Sequence, residues 1–205
     1  MCEQDKVTQA TSMVDQKKEK SATYRLLGVD PGTSLLGFAV IEIEGKNLRL
    51  VEMGVIHLSK LPSHEERLQR IFERLKQVIF QHKPREMAIE APFYGKNAQS
   101  MLKLGRAQGV AIAAAMTSGM TIQEYSPRKI KQSVTGNGNA SKEQVAAMLE
   151  QEFKIDLSNQ LLDATDALGA AICHYYQSKH TTGSGKSYTG WDAFVKDNPS
   201  KLKNK

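Results

Sequence analysis

The chain has 205 residues and a formal net charge of +6; 40% of its residues are hydrophobic and 24% charged, which fits one well-packed globular domain. Its longest strongly apolar helical stretch, Gly109–Met116, is far shorter than the roughly 18 residues a membrane span needs. Two cysteines, Cys2 and Cys173, make no disulfide framework and no Cys/His zinc spacing.

Residues 1–22 are polar, carry four Lys against four acidic residues, and lack a periodic apolar pattern. They read as a disordered leader with no apolar h-region, so a cytoplasmic, reducing location is expected. "YRLLGVD" (24–30) is predicted as a buried strand. "LLGFAVIEIEG" (35–45) and "LRLVEMGVIHLS" (48–59) follow after short turns, completing an antiparallel meander. The period then changes. Ser63 reads as the N-cap of a helix running to Pro84, with Leu68, Ile71, Phe72, Leu75, Val78 and Ile79 at helical spacing.

"EMAIEAP" (86–92) is a short apolar strand, and residues 97–119 form a long helix stopped by Gly119. "MTIQEYSP" (120–127) is the fifth strand. "PRKIKQSVT" is a short helix ahead of the glycine-rich loop "GNGNA" (136–140). Ser141 caps "SKEQVAAMLEQEF", where a Glu at the third-to-fourth position only loosely resembles a capping box. The last strong helix spans 162–179. The order βββαβαβ followed by helices predicts a mixed sheet covered by helices. Domain bounds are therefore 23–179, with 180–205 a basic tail whose Trp191, Phe194 and Val195 are candidates for a docked turn. Residues 178–205 hold six Lys against two Asp; such a tail suits a polyanionic partner or serves solubility.

Acidic residues stand where folding alone asks for apolar ones. Asp30 ends the first strand and Glu90 lies inside "MAIEAP". Asp163 and Asp166 share one face of a helix rich in Ala, Leu and Ile, beside the stripe Leu168, Ala171, Ile172 and Tyr175. Each has an ordinary role if taken singly. Asp30 precedes Pro-Gly as a turn residue, Glu90 is a strand-end residue, and Asp163 and Asp166 favour a helix start. Together they are costly unless neutralised. With the first and fourth strands adjacent and the last helix across them, the four carboxylates converge. No lysine in these motifs is close in sequence to balance them. Hard divalent cations do so, and Mg2+ takes a few carboxylate oxygens together with water and phosphate oxygens.

"GVDPGTSLLGFAV", "IEAPFYGKNAQSMLKLGRAQGVAIAAA", "YSPRKIKQSVTGNGNASKEQV" and "DATDALGAAICH", in this order over residues 24–177, resemble the RuvC family of bacterial Holliday junction resolvases. The resemblance implies an α/β fold of ribonuclease H-like type: a five-stranded mixed sheet flanked by helices on both faces. It implies a homodimeric, Mg2+-dependent endonuclease cutting opposed strands of a four-way DNA junction in recombination and repair. One or two ions per site are open, and Mn2+ is a possible substitute. By motif match the catalytic, metal-holding carboxylates are Asp30, Glu90, Asp163 and Asp166. The aromatic residue after the catalytic Glu matches Phe93, and the functional lysines match Lys131 and Lys142. The RuvAB branch-migration machinery is an implied partner.

Further DNA contacts are expected beside these. Tyr94, like Phe93, offers a ring for stacking on an unpaired base, or simply strand-end packing. Arg128 and Lys129 suit backbone phosphates, and the amides of Gly136 and Gly138 are candidate donors. The helix Asn97–Ser118 carries Gly105, Gly109 and an alanine run (Ala111, Ala113, Ala114, Ala115), suited to a dimer contact or to packing on the sheet. Two other readings stay open. One is a non-catalytic junction-binding scaffold. The other is a fragment of an actin-like or sugar-kinase-type phosphotransferase, whose phosphate loop resembles "GVDPGT".

Overall fold

The computed structural model describes residues 23–92, 97–157 and 162–182. The predicted leader, Phe93, Tyr94 and the tail residues Trp191, Phe194 and Val195 lie outside them. Chain order is β1 (Tyr24–Asp30), β2 (Leu35–Glu44), β3 (Asn47–His57), α1 (His64–His82), β4 (Glu86–Glu90), α2 (Ala98–Met116), β5 (Thr121–Tyr125), α3 (Pro127–Thr135), α4 (Lys142–Phe153) and α5 (Leu162–Thr182). Among the described residues, no helix is long and apolar enough to cross a membrane.

One five-stranded sheet has the order β3-β2-β1-β4-β5. β1, β2 and β3 form the antiparallel meander, and β4 and β5 run parallel to β1. The two parallel strands each follow a helix, the connection that lets a strand return in the same direction.

Helices cover both faces, as the sequence predicts. On one face, Leu27, Val29, Met87 and Ile89 pack against α1 (Ile71, Leu75, Val78) and α2 (Ala107, Ala111, Ala114). On the other, Leu26, Ala39, Ile41 and Ile43 pack against α4 and α5 through Val145, Leu149, Leu168, Ala171 and Ile172. The apolar run of β2 is thus buried on both sides: Phe38 and Val40 face one layer, Ile41 and Ile43 the other. The register of β3 shifts opposite Val40/Ile41, a bulge in the outer strand.

Helix ends follow local chemistry. Ser63, Asn97, Ser126 and Ser141 each accept a backbone N–H from the first turn of their helix. At Ser141 a full capping box forms, closed by Gln144 and not by an acidic residue. Lys83 ends α1 with φ 49°, before Pro84. Gly136 ends α3 with φ 76°, and its N–H donates to Gln132 O at 2.9 Å. That amide caps a helix, so the expectation that Gly136 offers a donor to phosphate is corrected.

In α2 the predicted alanine run divides. Ala111, Ala114 and Ala115 are buried in the core, while Ala113 is exposed. A side chain at Gly105 or Gly109 would meet nothing within 4 Å. Leu102, Gly105, Gly109, Ala113 and Met116 therefore form an open stripe along α2.

Candidate active site

Strand parity sends two carboxylates the same way. In β1, Leu27 and Val29 face α1 and α2, so Leu26, Gly28 and Asp30 face α5. In β4, Met87 and Ile89 face α1 and α2, so Glu86, Ala88 and Glu90 face α5. The parallel register aligns Val29 with Ile89, which makes Asp30 and Glu90 neighbours at the carboxyl ends of adjacent strands.

Two glycines bring α5 onto this spot. A Cβ at Gly28 would lie 2.0 Å from Ala167 O, and one at Gly37 would lie 1.9 Å from Asp163 O. The helix backbone therefore rests directly on the sheet, closer than any side chain permits. Gly37 is the register partner of Asp30, so the contact under Asp163 sets that residue beside Asp30. Asp166 follows on the same face. In the turn after β1, a Cβ at Gly32 would meet Leu35 O at 1.9 Å, so only glycine closes this turn. The Arg67 guanidinium donates to Thr33 O at 3.2 Å and to Leu61 O, pinning the turn from behind.

The four carboxylates act on one another. Burial and then the charges of Glu90, Asp166 and Asp163 push Asp30 up from 3.8 to about 8, against the pull of Lys142. Burial and then Asp166 push Glu90 up to about 7, while Lys142 and Lys131 pull it down. Lys142 donates to Asp166 Oδ2 at 2.5 Å. Burial works against its charge, but the bond to Asp166 and the fields of Asp166, Asp30 and Asp163 outweigh it and hold its pKa above the ordinary value. The counter-ion comes from the start of α4, 24 residues from Asp166.

Lys142 thus contacts the carboxylates and Lys131 acts on Glu90 through its charge, a counter-ion role that sequence spacing did not indicate. Arg128 and Lys129 are exposed in the first turn of α3. The loop folds back on Arg128: a Cβ at Gly138 would lie 2.7 Å from Arg128 Cγ. The roles of Gly28 and Gly37 were not drawn from sequence. Their signal was present, since a glycine inside an apolar strand marks close backbone approach.

Among the described residues, no group of three or more His, Cys, Asp or Glu side chains stands in a ready ligating arrangement. The donor chemistry nevertheless fits a hard divalent cation. Hard oxygen donors converge, and burial together with their mutual repulsion holds Asp30 and Glu90 partly protonated near neutral pH. A cation at this point relieves a cost the fold already carries.

A family model described as crossover junction endodeoxyribonuclease RuvC matches residues 26–174. A crossover junction endodeoxyribonuclease RuvC of Cytophaga hutchinsonii is 56% identical over 191 residues, covering 93% of this chain and 94% of the relative. The structure of Thermus thermophilus RuvC is similar at 30% identity with a TM-score of 0.70, covering 77% of this chain and 97% of the other. T. thermophilus RuvC in complex with a Holliday junction substrate is similar at 29% identity and TM-score 0.73, covering 78% and 97%.

Proposed function

The chain belongs to the RuvC family of crossover junction endodeoxyribonucleases, and from that premise we propose that Asp30, Glu90, Asp163 and Asp166 form its Mg2+-dependent hydrolytic centre. The protein is a Holliday junction resolvase, an endonuclease of recombination and repair. The observation that carries the site assignment is the convergence of four carboxylates from β1, β4 and α5. Their charge is only partly met by Lys142 and Lys131.

Asp30, central and the most perturbed, would be the principal residue to hold the cation. Glu90 and Asp166 would hold it with Asp30, and Asp163 would hold it too or orient the attacking water. Bound Mg2+, for which Mn2+ can substitute, supplies acidification of water and neutralisation of phosphate charge. The protein's part is to hold these oxygens in place before substrate arrives, so that little reorganisation accompanies the reaction. Lys142 keeps Asp166 oriented and presents an ammonium at the edge of the site. Lys131 lies near enough to act on Glu90, which supports a role for it at a phosphate oxygen. Arg128 and Lys129, exposed on α3, contact backbone phosphates without reading sequence. Phe93 and Tyr94, next in sequence after Pro92, are assigned to the junction centre on the family match and sequence position.

A junction offers two equivalent strands, and a two-fold dimer answers that symmetry. The open stripe Leu102, Gly105, Gly109, Ala113 and Met116 on α2 supports a homodimer contact. The nuclease domain is assigned to 23–179 and its place of action to the cytoplasm; cooperation with RuvAB follows from family membership.

The test compares a synthetic four-way junction with linear duplex. Wild type is expected to nick opposed junction strands only with Mg2+ or Mn2+. Asp30→Asn is expected to bind the junction and leave it uncut. Full Mg2+-dependent cutting by that variant would sink the site assignment. Lys131→Ala is expected to lose rate more than affinity.

A further inference from the structure

α5 carries two of the four carboxylates and meets the sheet through small and large side chains together. Ala164, Ala167, Ala170 and Ala171 are buried, with backbone contact over Gly28 and Gly37, beside the buried Leu168 and Ile172. This packing sets how close the helix comes and resists sliding by shape. Apolar contact is itself non-directional, so a directional polar contact fixes the axial register further.

His174 is a polar side chain on this face. Its Nε2 lies 2.7 Å from Glu86 Oε2 on β4, and its Nδ1 lies 2.8 Å from Tyr125 Oη at the end of β5. The carboxylate accepts from Nε2–H, which leaves Nδ1 to accept from the phenol. Burial, then Cys173 and Glu86, push Tyr125 up to about 12, so it stays a donor across the working range. Glu86 is itself held, its other oxygen 3.0 Å from Arg85 Nε. The Arg85 guanidinium lies over the Tyr24 ring.

The spacings match. Glu86 precedes Glu90 by four residues on the same side of β4, about 13 Å along the strand. His174 follows Asp166 by eight residues on α5, about 12 Å along the helix. The helix therefore runs back along β4 with one charged contact at each end: Asp166 facing Glu90 at the site, and His174 bonded to Glu86 behind it. We propose that His174, Glu86 and Tyr125 are positioning residues, a clamp that fixes the axial register of α5 and so sets Asp163 and Asp166 against Asp30 and Glu90. The proposal rests on the nuclease reading of those four carboxylates. A slide of about 1 Å would break both hydrogen bonds of His174, and a displacement of that size at the reacting centre costs on the order of a hundredfold in rate.

The test uses the full chain with a four-way junction. His174→Phe keeps the ring's bulk and removes both bonds; Glu86→Met and Tyr125→Phe remove one partner each. Ile79→Val, in the opposite layer, serves as a control for ordinary loss of stability. Junction affinity is measured in EDTA, single-turnover cutting at saturating protein, and Mn2+ affinity of the protein–junction complex by electron paramagnetic resonance.

His174→Phe and Glu86→Met are expected to bind the junction as wild type does. Both should lose about 10–100-fold in rate and bind Mn2+ several-fold more weakly. The double variant should be no worse than His174→Phe alone. His174→Gln, which keeps a donor toward Glu86, should recover part of the loss. Wild-type rate and Mn2+ affinity with a lowered melting temperature, the behaviour expected of Ile79→Val, would overturn the clamp. If His174→Phe does not fold, Tyr125→Phe decides, since it removes only a hydroxyl; an unchanged rate there overturns the proposal. Asp30→Asn in the same assay separates the two levels. Cutting by that variant defeats the site assignment itself, whereas an inactive Asp30→Asn beside a fully active His174→Phe defeats only the clamp.

Discussion

Replacing Asp30 by Asn should stabilise the metal-free protein. In the unfolded chain the carboxyl titrates at its ordinary value; in the fold, burial and the charges of Glu90, Asp166 and Asp163 raise it from 3.8 to about 8. The folded state therefore holds a proton that the unfolded state has released, and stability falls as pH rises through that interval. The penalty is absent below the unfolded value, grows between the two, and is complete above about pH 8. At pH 7 it amounts to about 4 kcal/mol, from about 1.4 kcal/mol for each pH step between the unfolded value and pH 7. Asn keeps the volume and exchanges one neutral polar group for another, so most of this should be recovered, roughly 2–4 kcal/mol. For a domain of this size that raises the melting temperature by about 5–15 °C. Urea unfolding of wild type and Asp30→Asn in EDTA at pH 5, 7 and 9 measures it. The gap should widen from pH 5 to pH 9, and Mg2+ should narrow it by stabilising wild type more. An Asn variant no more stable than wild type at pH 9 would refute the claim that Asp30 sits in uncompensated negative charge.

The same raised values predict that cation binding displaces protons from Asp30 and Glu90 below about pH 8 and pH 7 respectively. Calorimetric titration with Mg2+ in buffers of different ionisation enthalpy should register that release at pH 6, and a half-saturating Mg2+ concentration equal at pH 6 and pH 8 would contradict it. Gly37→Ala places a Cβ 1.9 Å from Asp163 O, where ordinary contact begins at 3.4 Å, so α5 must lift by about 1.5 Å. A loss of about 3 kcal/mol in urea unfolding is expected, with cutting impaired more than junction binding. Gly109→Glu adds a side chain where nothing lies within 4 Å, so folding should be unaffected. If α2 is the dimer face, sedimentation should show a shift toward monomer, and paired cutting of opposed strands should become independent nicking.

The carboxylates were legible because they violate a local rule. Glu90 interrupts a buried strand pattern and Asp30 ends one, and strand parity then fixes which face each takes. That parity needs only the strand assignment, so convergence with Asp163 and Asp166 followed once β1 and β4 were taken as neighbours. Cap signals were equally local: Ser63, Asn97, Ser126 and Ser141 all cap as short-range chemistry dictates. The capping box that the sequence only loosely suggested at Ser141 is closed by Gln144, which fills the same role as Glu.

The groups that position the carboxylates behaved differently, and the reason is physical. Lys142 reaches Asp166 from 24 residues away, His174 reaches Glu86 from 88, and Gly37 admits Asp163 through a backbone contact across the sheet. A lysine at the start of a helix and a histidine near a helix end break no local pattern. A glycine in an apolar strand marks a close approach but not what approaches. Their meaning exists only once α5 is laid on β1 and β4. A catalytic carboxylate is conspicuous because its cost is intrinsic to the residue, whereas a positioning contact costs nothing until the partner is removed. This asymmetry explains why a clamp such as Glu86–His174–Tyr125 escapes a reading of the sequence: every member is satisfied, and a satisfied polar group leaves no irregularity in the chain.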